Sequence, residues 1–157
     1  MSNNILYTNF LRIAPTISYE GAVLANLFKQ TFHWTRLAVF STLDDVDMSD
    51  MLGEFLESAA TNNITILLSG LYNSATTDYS NFINNALPLS PRIIVVLMKP
   101  AMAAPFLEQA YQLGLITEGV TIVGTTYTSD DTLFPAFTPN APVQDILRGY
   151  IGLASNQ

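Results

Sequence analysis

Residues 92–98 read Arg-Ile-Ile-Val-Val-Leu-Met, and the uninterrupted apolar run from Ile93 to Met98 decides the fold class. A strand with one face in water alternates apolar and polar side chains, whereas a strand covered on both faces is apolar throughout. The run is far shorter than the roughly 20 residues of a membrane span, so it reads as a buried strand. Three more runs share its character: Leu37 to Phe40, Ile64 to Leu68 and Val120 to Val123.

Between these runs lie four segments with apolar residues at i, i+1, i+4 and i+5, which places them on one helical face. They are Val23/Leu24/Leu27/Phe28, Met51/Leu52/Phe55/Leu56, Phe82/Ile83/Ala86/Leu87 and Phe106/Leu107/Ala110/Tyr111. Ser18 precedes the first, the cluster Asp47-Met48-Ser49-Asp50 the second and Asp78 the third, all side chains suited to capping. Gly114 suits a left-handed stop after the fourth. Helices alternating with fully apolar strands predict an α/β fold, a doubly wound parallel sheet of about four to five strands with helices on both faces and right-handed crossovers.

Beyond Gly124 the pattern gives way to Tyr127-Thr128-Ser129-Asp130-Asp131 and a stretch broken by Pro135, Pro139 and Pro142. The expected organisation is an α/β lobe over residues 1–127 and an irregular segment over 128–157 packing on the same lobe. Val143, Ile146, Leu147, Tyr150 and Ile151 fall at helical spacing within that segment.

The chain has 157 residues, about one domain, with six basic and thirteen acidic side chains for a net charge of −7. That balance argues against nucleic-acid binding, which needs clustered Lys and Arg. Only 12% of residues are charged and 49% are apolar, which points either to a large core or to apolar surface that meets a partner. With no cysteine, thiolate nucleophiles, disulfides and Cys-ligated metals are excluded. Met1-Ser2-Asn3-Asn4 carries no charged or apolar signal region, so the chain as given reads as soluble and without an export signal. Asn63-Ile64-Thr65 is a glycosylation sequon.

Open parallel sheets bind ligands where their strands end, because loops and helix N-termini expose backbone donors there. The expected strand ends are Ser41-Thr42-Leu43-Asp44, Ser69-Gly70-Leu71-Tyr72, Met98-Lys99-Pro100 and Thr125-Thr126-Tyr127. Thr42, Asp44, Ser69, Tyr72, Lys99, Thr126 and Tyr127 are therefore the candidate ligand-binding residues. Asp44, Asp45, Asp47 and Asp50 form a dense carboxylate cluster, but it lacks the glycine and terminal Glu of an EF-hand loop, and capping and solvation explain it better than a metal. His33, the sole histidine, has no nucleophile or Gly-x-Ser-x-Gly element beside it. Neither the Rossmann nor the P-loop string is present. A response-regulator reading opens with Asp44-Asp45 and fails at Met98-Lys99-Pro100, where a phosphate-accepting Asp would be needed. No catalytic residue, metal or cofactor is expected.

Phe10-Leu11-Arg12-Ile13-Ala14-Pro15, followed by the run through Phe32-His33-Trp34-Thr35-Arg36-Leu37-Ala38-Val39-Phe40, resembles the start of the second lobe in the receptor family ligand-binding region. These are the flytrap domains of the periplasmic-binding-protein-like type I class. Ala110-Tyr111-Gln112-Leu113-Gly114-Leu115 is similar to that family's Ala-x-x-Leu-Gly-Leu helix end, and Arg92-Ile93-Ile94-Val95-Val96 to its third strand. The resemblance covers roughly residues 5 to 127 and implies a single non-catalytic lobe of a bilobed sensing or solute-binding domain. Such a lobe binds a small molecule or peptide at its strand-end loops and signals by clamshell closure.

It further implies an extracellular or periplasmic-facing setting, a first lobe in cis or a homo-oligomer as partner, and membrane association only through attached regions. Amino-acid-sensing members carry an acidic residue where this chain has Thr16-Ile17-Ser18. They also have Tyr-Gly near Asp47-Met48, and Gly-Ser-Asp where Gly124-Thr125-Thr126 stands. The usual ammonium-binding groups are thus missing, which favours a different ligand or the alternative of a self-assembling structural module that has lost ligand binding. One lobe of a micromolar receptor, supplying half of roughly −8 kcal/mol, would bind at only about millimolar strength.

Overall fold

A computed structural model describes residues 17–128 and 130–152. The Phe10–Pro15 motif and Thr16 lie outside the described residues. Five parallel strands, β1 (Arg36–Thr42), β2 (Thr65–Tyr72), β3 (Ile93–Leu97), β4 (Thr121–Val123) and β5 (Tyr150–Ile151), form one sheet in the order β2-β1-β3-β4-β5. The helices are α1 (Ile17–Leu27), α2 (Val46–Thr61), α3 (Ser80–Ala86), α4 (Pro100–Gln112) and the single turns α5 (Asp130–Leu133) and α6 (Val143–Ile146).

The apolar runs sort by parity into two cores, as a strand's alternation requires. Leu37 and Val39 of β1 and Ile93, Val95 and Leu97 of β3 face one way, onto Leu24 and Phe28 at the end of α1 and Met51 and Phe55 of α2. Ala38 and Phe40 of β1 and Ile94 and Val96 of β3 face the other way, onto Ile83 of α3 and Phe106 and Leu107 of α4. All five residues of β3 are buried, which is why residues 93–97 show no polar position. Each fully buried Leu, Ile or Phe contributes about 1.5–3 kcal/mol relative to exposure.

Local chemistry shapes the connections. α1 widens into a π-helical turn over Phe28–Phe32 and stops at His33, whose φ of 57° is left-handed. Trp34 stands at the helix-to-strand joint, half-buried and stacked on Phe32 with ring centroids 4.5 Å apart. Gly114 adopts φ 87° just past α4, the left-handed stop its sequence position predicts. At Gly21 the backbones of α1 and α2 approach so closely that a Cβ would collide with the Met51 carbonyl oxygen.

Several expected boundaries move. α1 is already helical at Ile17, so Ser18 lies within its first turn. Asp45, rather than the 47–50 cluster, caps α2, its Oδ1 accepting from Met48 N at 3.2 Å. Asp78, two residues before α3, accepts from Ser80 N at the start of that helix. β1 and β2 both run further than their apolar cores, to Thr42 and Tyr72, because ladder hydrogen bonds continue through small and polar residues. The helical spacing of residues 143–151 is realised as only one turn, α6, after which Tyr150–Ile151 joins the sheet beside β4.

Candidate functional site

The carboxyl ends of β1, β3 and β4 bring three chain segments together: Asp44–Asp47 leading into α2, Met98–Lys99 leading into α4, and the turn Gly124–Thr128. Lys99 sits at the N-cap of α4, where a cation opposes the helix dipole. Two carboxylates offset it: Nζ lies 2.8 Å from Asp45 Oδ2 and 3.7 Å from Asp47 Oδ2. Tyr127 completes the group, its hydroxyl donating to Asp47 Oδ2 at 3.0 Å and its ring centroid lying 5.5 Å from Lys99 Nζ.

The ionisation of these groups follows from their partners. The hydrogen bond from Lys99 holds the Asp45 carboxyl below the usual carboxylate range, against the opposing effect of burial. The same bond raises the Lys99 ammonium. Burial, and next the hydrogen bond to Asp47, raise the Tyr127 phenol. Side chains of Lys99 and Asp47 remain 43% and 45% exposed, so the group presents a cation, a carboxylate and a phenol to whatever meets this face.

Asp44 and Thr126 flank that group. Asp44 receives Ser74 twice, from the backbone N at 2.8 Å and from Oγ at 2.6 Å, and the latter bond lowers its carboxyl. The backbone N of Thr126 donates to Glu20 Oε1 at 2.9 Å. Glu20 is only 6% exposed, and its Oε2 is buried without a hydrogen-bond donor. A buried carboxylate oxygen left unpaired is costly, which makes Glu20 a notable feature of this end of the lobe. Glu20 lies four and eight residues before Leu24 and Phe28, on the helical face that enters the core; an acidic residue on such a face was the available signal.

Three of the seven candidates lie elsewhere. Thr42 is buried as the last residue of β1, with Oγ1 donating to Met102 Sδ at 3.5 Å. Tyr72 is 5% exposed, its hydroxyl donates to the Tyr79 carbonyl at 2.7 Å, and its ring packs edge-on against Tyr79 and Phe82. Burial pushes the Tyr72 phenol well above its ordinary pKa. Ser69 is half-buried in mid-strand, since β2 continues three residues past it. The candidates left facing the strand ends are Asp44, Lys99, Thr126 and Tyr127, joined by Asp45, Asp47, Ser74 and Glu20.

Among the described residues, no group of three or more His, Cys, Asp or Glu side chains could hold a metal ion. Among the same described residues, no helix is long and apolar enough to cross a membrane. Three surface depressions, of about 200, 670 and 590 Å³, lie at the other end of the sheet, around Arg92, Gly119 and Thr121. The strand-end face has an ion-paired centre, with Lys99 between Asp45 and Asp47.

A five-stranded parallel sheet in the order β2-β1-β3-β4-β5 with helices on both faces is a doubly wound α/β fold, a class that places ligands at the carboxyl ends of its strands. The chain is a member of the receptor family ligand binding region, whose family model matches residues 1–156. Among solved structures it is similar to a Rhodospirillum rubrum chain assigned to branched-chain amino acid ABC transport, with a TM-score of 0.72 and 15% identity over 87% of this chain and 36% of that one. It is also similar to the leucine binding protein LivK from Thermotoga maritima, with a TM-score of 0.69 and 18% identity over 82% of this chain and 35% of that one. A third is an ABC-transporter solute binding protein from Rhodopseudomonas palustris in complex with 3,4-dihydroxybenzoic acid, with a TM-score of 0.66 and 18% identity over 79% and 34%. The chain thus spans about a third of the length of the structures it matches. No curated protein sequence matches it.

Proposed function

We propose that this chain is a non-catalytic ligand-binding lobe that supplies one wall of a two-lobed cleft. The observation that carries the reading is the convergence of Lys99, Asp45, Asp47 and Tyr127 at the ends of three parallel strands, in a chain of the ligand-binding family. Lys99 has a half-exposed ammonium for a ligand carboxylate or hydroxyl, Asp47 a half-exposed acceptor, and Thr126 and Asp44 lie at the margins. Closure of a second lobe over this face would strengthen those hydrogen bonds by excluding water, and a ligand with higher affinity for the closed state would shift the hinge equilibrium. The second lobe, in cis or from another chain, and an extracytoplasmic setting are parts of the same proposal.

The ligand class suggested by the neighbours' names is a small carboxylic acid: leucine is named for LivK and 3,4-dihydroxybenzoic acid for the R. palustris protein. A thermal-shift screen of this chain against amino acids, aromatic acids, amines, purines, sugars and short peptides at about millimolar concentration tests the reading, because a ligand bound to the folded state raises its melting temperature by mass action. A shift caused by carboxylic acids and abolished by Lys99→Met supports it. A shift that survives Lys99→Met places the ligand elsewhere, and silence across the panel favours the self-assembling alternative, which sedimentation would then reveal as a concentration-dependent oligomer.

A further inference from the structure

The opposite end of the sheet carries a feature that the strand-end face does not explain. A depression of about 590 Å³ opens where β1, β3 and β4 begin, and its lining includes Arg36, Arg92, His33, Trp34 and Leu89 but no carboxylate. Its volume falls within the range of small-molecule sites. In a chain with thirteen acidic and six basic residues, two arginines lie in one depression. Neither has a carboxylate within 4.0 Å among the described residues. Glu118, on the adjoining depression that Arg92 also lines, makes no such pair either.

The placement of the two arginines makes the arrangement costly in isolation. β1 pairs with β3 from Ala38↔Ile94 onward; Arg36 opens β1 and Arg92 immediately precedes β3, so the two arginines stand at the starts of adjacent strands and line one depression. Neighbouring strands are about 4.8 Å apart, so two cations at the starts of adjacent strands repel one another unless an anion offsets them. The Arg92 guanidinium lies over the start of β4, with Nη1 3.8 Å from the position a Cβ would take at Gly119. Two guanidiniums lining one depression, each able to present a planar fork of donors, make a receptor for an oxyanion. Half-buried Trp34 and exposed Leu89 line the same depression and give it apolar surface.

We propose that this depression is a second ligand site, which takes a small organic oxyanion with an aromatic body: the anionic group bridges Arg36 and Arg92, and the ring lies against Trp34 and Leu89. The site is independent of the strand-end face and does not rest on the function proposed for it.

Trp34 is the only tryptophan in the chain, so its fluorescence reports occupancy directly. Titration of the full chain with phenyl phosphate is expected to change Trp34 emission saturably. Phenol and inorganic phosphate, each carrying half of the chemistry, are expected to bind at least about tenfold more weakly. Arg36→Gln and Arg92→Gln, both at exposed positions, are each expected to weaken phenyl phosphate by about tenfold, whereas Lys99→Met leaves the titration unchanged. Should either arginine variant melt early, Ser90→Asp, which adds a carboxylate to the same lining, carries the test by the same expected loss. No saturable change up to about 10 mM, equal affinity in the arginine variants, equal binding of phenol, or loss of the signal in Lys99→Met would each overturn the proposal.

Discussion

The Tyr127 hydroxyl donates to the Asp47 carboxylate at 3.0 Å, joining the turn after β4 to the first turn of α2 across 80 residues of sequence. The same carboxylate lies 3.7 Å from Lys99, so one acidic side chain ties together the ends of three parallel strands. The strand-end face is therefore held in place by its own side chains.

Tyr127→Phe removes that hydroxyl and keeps the ring. It should leave the fold intact, cost about 1 kcal/mol or less in stability, and lower the affinity of any carboxylic-acid hit from the thermal-shift screen by a few-fold. Isothermal titration of the variant beside the parent protein checks both effects; unchanged affinity would remove Tyr127 from the ligand face.

Acid should loosen the same face. The Asp45 carboxyl is held below its ordinary range by Lys99, so its contribution to stability is fully present above the unfolded-state pKa and is lost as pH falls through the folded-state value. Melting temperatures measured from about pH 6 down to about pH 2 should fall more steeply for the parent than for Asp45→Asn. Parallel curves would show that the Lys99 pairing contributes nothing to the folded state.

Tyr72 belongs to the core. Tyr72→Phe, which loses the 2.7 Å bond to the Tyr79 carbonyl, should cost about 1 kcal/mol. Tyr72→Ala should cost about 3–5 kcal/mol through the cavity it opens among Tyr79, Phe82 and Phe106. Urea denaturation measures both, and a change of less than about 0.5 kcal/mol for the alanine variant would contradict the burial seen here.

Gly21→Ala tests the closeness of α1 and α2. Its methyl group would meet the Met51 carbonyl oxygen and Phe55 N, both backbone atoms that cannot turn aside. The expected cost is about 1–3 kcal/mol as the helices are pushed apart, although alanine is the better helix former by about 1 kcal/mol. A stabilised variant in a thermal melt would mean that the two helices pack less tightly than described.

The sequence alone determined the α/β class, the parallel sheet and the two-sided burial, because fully apolar strands such as Ile93–Leu97 and helices with apolar faces admit few other arrangements. It also marked Lys99, Tyr127, Thr126 and Asp44 as strand-end residues, since they follow directly on runs whose ends local patterning reveals. What only the tertiary structure decided was where each strand stops and which side chains meet across the loops. Thr42 and Tyr72 became strand residues because hydrogen bonding to a neighbouring strand, a non-local property, carried β1 and β2 beyond their apolar cores.

Glu20 and Thr126 are 106 residues apart, and β5 has only two residues. Neither relationship leaves a trace in local periodicity, because each depends on the register and packing that bring distant segments together. The same holds at the other end of the sheet, where Arg36 and Arg92 are unremarkable as scattered basic residues and acquire meaning only when β1 and β3 are placed side by side.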